Sequence, residues 1–521
     1  MYQYTLIESI IHKLKLDDNL EDISDLSALK IHENNEIFIN ILKSYQSPTR
    51  EEKYIINIFA SNEIQKMNYL SDNYKHNLFF DLHLIICNSY SIDTRIFEII
   101  YLERNLINKI SDILINKYEK IINSKDLYKF YNKYLIEKFY NALDFEQLSK
   151  EDYYNTSKLD INEKNIKWAK FEEINIIFNN NCKKFREYLK KVILFYSKFD
   201  NKVIGCYNVN RNMYKKILES HVGLNINIDK LERWALNEIN ILNNRMKYYI
   251  KKINPNILDE TYSRNMLEKI NKSQKYKSKK EYLEYYKEKI KKYKNIFLKK
   301  YNFILYEDSN LVNFDDSDMG GGYYSENNFY LNESNWKEKY KYTVESLVLH
   351  EDVPGHHLQV HTSKFVEQNN SLLYTYFPSI LNGFVEGWGL FAEKLGVDQT
   401  YWDKIGQIEY EIFRTLRIIV DIRIHYRGYE PNKIYEYMQN YLSFGKTEIM
   451  TEVYRYVCNP GQAVSYKVGS HIFSKILEKN NIKKYLDPKA IEIYKKIIHD
   501  GPKPLKFLLE DYLISESELF N

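Results

Sequence analysis

Leu349-His350-Glu351-Asp352-Val353-Pro354-Gly355-His356-His357-Leu358-Gln359 is the stretch from which the rest of the chain can be read. Four of the twelve histidines, at 350, 356, 357 and 361, lie in it or just beyond it. His-Glu at the head is how many zinc hydrolase helices begin, with a metal ligand and then the carboxylate that activates water. In the regular motif a second histidine follows four residues later, about 40° round the helix, so both rings reach one ion. Here Pro354 stands in that place. On an undistorted helix His356 is roughly 120° away from His350, and His357 returns to the same face but about 10 Å along the axis. Pro354 removes a backbone hydrogen bond and clashes with the preceding turn, while Gly355 accepts unusual torsions. The pair predicts a bulge or break that swings His356 or His357 round to a metal. His356 is preferred, because it follows the glycine directly and needs the smaller displacement. A plain polar network of histidines would share the same residues, so a third ligand has to be found.

Glu386 and Glu393 are placed to supply it. They are seven residues apart, on one face of a helix that is otherwise apolar and aromatic through Phe384, Trp388, Leu390 and Phe391. Carboxylates on such a helix need a partner, and a dication is a good one. One can bind metal while the other holds a histidine from behind; salt bridges to lysines such as Lys394 are the alternative. Farther on, Arg417, Asp421 and His425 repeat every four residues, as an imidazole-orienting set or as a structural ion-pair stripe. Around Pro460-Gly461, Tyr466 is a candidate donor to a developing oxyanion, and Arg455 a candidate partner for a substrate carboxylate.

Composition excludes several classes. With 75 basic and 71 acidic side chains the net charge is +4, which does not suggest a nucleic-acid partner. The four cysteines, at 87, 182, 206 and 458, form no CxxC pair, so neither a disulfide framework nor a cysteine zinc site is expected, and a reducing cytoplasm fits. The uncharged run from Gln368 to Val385 is broken by Pro378, Asn382 and Gly383 and is too polar for a membrane span. A soluble, cytoplasmic protein is expected.

Glycine and proline divide the chain. Residues 1–319 hold only Gly205, Gly223, Pro48 and Pro255, while fourteen glycines and seven prolines fall in 320–521. Turn-dense β architecture needs those residues, so the first three-fifths reads as helical. Three- and four-residue apolar spacing marks helices over 51–70, 92–122, 166–199, 228–253 and about 279–300. The stretch from Arg264 to Lys300 carries fourteen Lys/Arg against four Glu, a solvated helix face or a wall that attracts acidic substrates. Short β-like patterns over 302–306 and 328–332 flank Gly320, Gly321, Gly322 and Tyr323. Glycines beside a strand let another backbone approach, so Gly321, Gly322 and Tyr323 are candidate substrate-binding residues on a sheet edge; a plain flexible turn is the alternative. Helices are then expected from about Trp336 into His350-Glu351, from about Ile380, over 401–426, over 462–477, and at about 491–499 and 505–513.

Four ordered motifs over 350–469 carry a resemblance. The chain resembles a bacterial family of zincin-like proteins of unknown function whose signature is HExxPGHHxQ, matched here from His350 to Gln359. Its EGW segment is matched by Glu386-Gly387-Trp388, with Glu393 behind. Its R-x-x-x-D-x-x-x-H segment is matched by Arg417, Asp421 and His425, and its RY…PGQA…YKxG segment by Arg455-Tyr456, Pro460 to Ala463 and Tyr466 to Gly469. The resemblance implies a mostly helical zinc peptidase body, similar in outline to thimet oligopeptidase and the thermostable carboxypeptidases, where helices wall a channel above the metal. It implies one Zn2+ held by His350, His356 or His357, and Glu386, with Glu351 as general base. Gly389 stands where the family commonly has alanine, which adds helix flexibility and leaves the ligands in place. The lipoprotein-type signal of many relatives is missing, so a secreted location is not expected.

The expected architecture is therefore mostly α: a helical lobe over 1–300 forming channel walls, and a zincin-like catalytic lobe over 301–521 with a small β element (about 302–332) beside the metal-site helices. The expected function is zinc-dependent hydrolysis of short peptides, with no nucleic-acid or membrane partner. Tyr466, His425 or the unused histidine of the 356/357 pair would stabilise the oxyanion, and His357 and Arg455 would contact substrate. Two other classes share these motifs: a metal-dependent amidase tailoring one biosynthetic peptide or metabolite, and a non-catalytic helical binding protein with a vestigial site.

Overall fold

The computed structural model describes residues 211–315, 321–334, 336–365 and 378–520, with scattered positions between 150 and 194. The helices expected over 51–70 and 92–122, most of 166–199, and Gly320 lie outside the described residues. The chain forms two compact units, Met1–Asn208 and Val209–Asn521, and every candidate site residue belongs to the second.

In that unit the elements run α1 (Arg211–Val222), α2 (Ile228–Ile253), α3 (Ser263–Glu268), α4 (Lys279–Lys294), β1 (Asn310–Phe314), β2 (Gly322–Ser325), β3 (Asn328–Asn332) and α5 (Val344–Glu351). They continue with α6 (His356–Phe365), α7 (Asn382–Ala392), α8 (Tyr401–His425), α9 (Pro431–Gln439), α10 (Lys446–Cys458), α11 (Ser465–Lys479), α12 (Pro488–Asp500) and α13 (Leu505–Asp511). The protein is mostly helical with one small three-stranded sheet, as expected.

Helix α8 is the core of the unit. It starts at a capping box: Thr400 Oγ1 accepts from the Asp403 N–H at 3.1 Å, and the Asp403 carboxylate accepts from the Thr400 N–H at 2.9 Å. Ile405, Ile408, Ile412, Leu416, Ile419 and Ile422 are all buried, and so are Glu409, Glu411, Arg414, Arg417, Asp421 and His425. Helix α2 lies along it, burying Leu231, Ala235, Ile239, Leu242, Met246 and Ile250 at three- and four-residue spacing. Each large aliphatic side chain so buried contributes roughly 1.5–3 kcal/mol before entropy, so docking rather than helix propensity holds α2 in place.

Helices α7 and α11 cross with their backbones in contact. A Cβ on Gly469 would lie 1.9 Å from the Gly383 carbonyl oxygen and 2.7 Å from Gly387 Cα. Only glycine permits that approach, and it brings Glu386 of α7 and Tyr466 of α11 to one place.

The sheet has the order β1-β3-β2, with β1 parallel and β2 antiparallel to β3, so β2 forms one edge. The strand expected at 328–332 is β3. The one expected at 302–306 is not a strand: Phe303 tucks under Phe297 (centroids 5.8 Å apart), and its N–H is taken by the Phe297 carbonyl at 3.0 Å. The partner strand is instead 310–314. The helix expected from Trp336 begins at Val344, after a single 3-10 turn over Lys341–Thr343. Tyr340 stays extended, and its ring stacks on Tyr342, which is buried against Trp402. Helices α9 and α10 were not anticipated.

The lysine-rich face of α4 is partly structural. Lys289 Nζ lies 2.7 Å from Glu345 and 2.9 Å from Asp403, and Lys292 donates to the Val397 carbonyl at 2.7 Å. These bonds tie α4 to the starts of α5 and α8. No helix among the described residues is long and apolar enough to cross a membrane.

Candidate metal centre

The break foreseen at Pro354-Gly355 is present. Helix α5 ends at Glu351, Asp352 leaves helical torsions (φ −104°, ψ −121°), the Val353–Pro354 peptide is cis, and α6 starts at His356. What Gly355 supplies is room rather than an unusual torsion: a Cβ there would sit 1.9 Å from the His350 carbonyl oxygen, and its φ is not positive. The returning backbone is thus pressed against the end of α5. That contact sets the His356 ring 4.8 Å from the His350 ring, at right angles to it.

Glu386 completes a triad. One ligand atom from each of His350, His356 and Glu386 lies within 4.8 Å of the others. Glu386 Oε2 is 3.4 Å from His356 Nε2 and 4.0 Å from His350 Nε2. Tetrahedral zinc with bonds of about 2.0–2.2 Å sets its ligands about 3.4 Å apart, so an ion of that size fits with small adjustments. Each histidine is held through its other nitrogen: His350 Nδ1 lies 2.9 Å from Glu393 Oε1, and His356 Nδ1 lies 3.4 Å from Gln359 Oε1. This leaves both Nε2 atoms facing the carboxylate. Two imidazoles and a carboxylate, each with a supporting partner or neighbour, make a donor set suited to zinc. Of the two carboxylates Glu393 is the one that meets a histidine at Nδ1, while Lys394 pairs with Glu411 at 3.0 Å.

The electrostatics reflect a crowded, dry site. Burial, with the nearby charges of His356, Arg414 and Arg417, holds the His350 imidazole far below its usual range. Burial alone would depress His356 too, but hydrogen bonding to Glu386 and the charges of Glu351 and Glu386 push it up to about 9. Burial raises Glu351 to about 7 and Glu393 to about 8, against the pull of His356 on the former and Arg414 on the latter. Glu386 stays below the ordinary carboxylate value, because His356 and the Tyr466 hydroxyl outweigh its desolvation.

Beside the triad stand three further groups. The Tyr466 ring lies 6.3 Å from the His350 ring, nearly parallel, with its hydroxyl within hydrogen-bonding reach of Glu386. Glu351 is the last residue of α5, buried directly after His350, with the charges of His356 and Glu386 acting on its carboxylate. The Asn332 N–H bonds the Gly321 carbonyl at 3.0 Å, so by antiparallel alternation Gly321 and Tyr323 turn their polar backbone groups toward β3, and Gly322 and Tyr324 turn theirs away from it. Gly321 and Gly322 lie over Leu347 of α5, and the half-exposed Tyr323 ring stacks on Tyr330 at 4.8 Å.

The remaining candidates sit apart from the triad. His357 turns the other way, with Nδ1 3.2 Å from the Tyr324 hydroxyl and Nε2 3.0 Å from the Glu307 carbonyl. Arg455 donates to Gln462 Oε1 at 2.9 Å and to Glu452 at 3.0 Å. His425 is eight residues along α8 from Arg417, about 12 Å; its Nε2 donates to the Tyr456 carbonyl at 2.8 Å, and its ring stacks on Tyr214. Asp421 does not orient His425 as the spacing suggested. It accepts from the Tyr214 hydroxyl at 2.6 Å and from the Gly461 N–H at 3.0 Å, pinning the turn before α11.

Two features escaped the sequence. Tyr324, whose hydroxyl meets His357 Nδ1, looks like any strand tyrosine. Gly389, read as added flexibility, is a spacer: a Cβ there would come within 2.8 Å of His350 Nε2 and 2.9 Å of His356 Cε1.

A model of a family described as bacterial protein of unknown function (DUF885) matches residues 121–510. Among solved structures, a candidate lipoprotein from Colwellia psychrerythraea superposes with a TM-score of 0.72 at 15% identity, over 93% of this chain and 90% of that one. A candidate lipoprotein of unknown function from Shewanella oneidensis superposes with a TM-score of 0.60, also at 15% identity, over 93% and 92%. At that identity the likeness is one of fold. No protein of curated function matches the chain in sequence.

Proposed function

The chain belongs to the bacterial family of unknown function DUF885, and for this member of it we propose a zinc-dependent, zincin-like peptidase acting on short peptides. The observation that carries the proposal is the His350–His356–Glu386 triad, with both histidines buried and Glu351 next to His350 at the end of α5. Zinc held by those three residues would polarise the scissile carbonyl and lower the pKa of a bound water toward ~7.

Glu351 takes a proton from the attacking water and returns it to the leaving amine, so the water oxygen joins the carbonyl carbon, the C–N bond breaks, and an acid and an amine depart. In the metal-free protein burial raises this carboxylate to about 7; a bound cation would hold it lower, in the ionised form a general base needs. Tyr466 turns its O–H from Glu386 to the developing oxyanion. The backbone groups of Gly322, which turn away from β3, offer bonds to a substrate laid along β2 as an added strand. His425 has no part in this scheme, since its ring is committed to Tyr456 and Tyr214.

The test is chelation and reloading of the full chain, followed by metal analysis and mass spectrometry of a short-peptide mixture. One zinc per chain and new cleavage products are expected. Glu351→Gln should keep the zinc and lose the cleavage. Failure to take up stoichiometric zinc would sink the proposal.

A further inference from the structure

Arg417 carries a buried guanidinium that the protein itself only partly satisfies. Its Nε donates to the Tyr456 hydroxyl at 3.1 Å and its Nη2 to Glu452 Oε2 at 3.2 Å. Its Nη1 is buried with no hydrogen-bond partner among the described residues, in a side chain that is only 6% exposed. A buried cationic N–H without an acceptor is costly.

Its place in the site gives that vacancy a use. The guanidinium carbon lies 4.5 Å from the centroid of the Tyr466 ring, and that ring stacks on His350 of the triad. Charge is also left over. Glu452 is shared between Arg417 and Arg455 and accepts from the Tyr456 hydroxyl at 2.6 Å as well. Arg455, whose Nη1 bonds Gln462 Oε1, adds its charge to the surroundings of the same tyrosine. One turn earlier on α8, Arg414 Nε and Nη1 are likewise buried without partners, and its Nη2 is 3.6 Å from Glu393. The acidic groups on the triad side, Glu351, Glu386 and Glu393, are occupied with the histidines and Arg414.

We infer that Arg417, supported by Arg455, binds the free C-terminal carboxylate of a peptide one residue beyond the scissile carbonyl, so that the protein acts as a carboxypeptidase. The inference rests on the zinc peptidase proposal. A planar guanidinium matches a carboxylate in a way that a neutral amide does not. On the proposed mechanism the scissile carbonyl oxygen arrives at Tyr466. The 4.5 Å from the Arg417 guanidinium to the centre of that ring is comparable to the ~3.8 Å between consecutive Cα atoms, one residue's reach. A chain continuing past Arg417 would offer Nη1 only a neutral carbonyl oxygen, a weaker acceptor for a buried cation than a carboxylate. An acidic side chain on that residue presents the same chemistry, and the test separates the two sources.

The test reads binding without turnover, by calorimetry and thermal shift on the full chain. Metal-free protein is used first, so that the ligand carboxylate cannot simply bind the ion. The probes are N-acetylalanine, N-acetylalanine amide and N-acetylaspartic acid α-amide. The free acid is expected to bind at least tenfold more tightly than either amide. Arg417→Met should abolish that preference, and Arg417→Lys and Arg455→Met should each reduce it. Equal binding of acid and amide, tighter binding of the aspartyl amide, or an unchanged preference in Arg417→Met overturns the inference. If Arg417→Met does not fold, Arg417→Lys and Arg455→Met decide in the same way. An intact acid preference with no zinc uptake or no hydrolysis would instead overturn the peptidase proposal.

Discussion

His350 Nδ1 lies 2.9 Å from Oε1 of Glu393, two fully enclosed groups joined across the α5–α7 interface. That bond fixes the imidazole so that its Nε2 faces Glu386, and it makes the ring a better donor to a cation. Glu393→Ala is expected to lower zinc affinity about 10- to 100-fold while the protein stays folded, as competition with a chromogenic chelator would measure. Unchanged affinity would leave Glu393 only a packing role.

The adjacent histidines are expected to behave differently. His356→Ala should lose stoichiometric zinc, because it removes one corner of the triad. His357→Ala should retain it, because that ring is bonded to Tyr324 and Glu307 instead. Metal analysis after dialysis distinguishes them, and the opposite pattern would assign the ligand to His357.

Tyr466→Phe removes only a hydroxyl. The prediction is normal zinc content and a turnover loss of about 10²–10³, with KM little changed. A change confined to KM would make Tyr466 a substrate contact rather than an oxyanion donor.

Zinc binding should be coupled to proton release. In the metal-free protein His356 is held up to about 9, so at neutral pH it carries a proton that the metal must displace. Affinity therefore rises with pH through neutrality and levels off near 9, at up to about tenfold per pH unit for one proton. The same raised value stabilises the metal-free fold below the unfolded pKa of about 6.5, and that contribution is lost as pH climbs through 9. Calorimetry in two buffers of different ionisation heat measures the protons released; none at pH 7 would contradict this account.

Gly469→Ala is expected to be strongly destabilising. Its methyl would sit 1.9 Å from the Gly383 carbonyl oxygen, with backbone on both sides and no flexible side chain to move. Overpacking of this kind costs about 1–3 kcal/mol or more. A melting temperature within a degree of the parent would show that α7 and α11 are less tightly apposed than this geometry requires.

Much of the site was legible in local patterns. The break at Pro354-Gly355 follows from what proline does to a helix, and the shared face of Glu386 and Glu393 follows from their seven-residue spacing, which leaves open which of them meets which histidine. Asp421 shows where such spacing misleads. It shares a helix face with His425, yet it bonds Tyr214 and the Gly461 N–H, because neighbours from α1 and the turn before α11 reach it first. The strand at 310–314 was displaced from the expected 302–306 for a similar reason, since Phe303 found a better place under Phe297.

By itself the sequence determined the helical class, the ordered motifs and the residue types gathered for a cation, because periodicity and backbone stereochemistry are local. Only the tertiary structure set His356, rather than His357, beside His350 and Glu386, and only it turned Gly355 and Gly389 into spacers around those rings. It alone set a partly unsatisfied Arg417 beside Tyr466. Those outcomes depend on how closely two backbones pass, a distance that no single segment of the chain encodes.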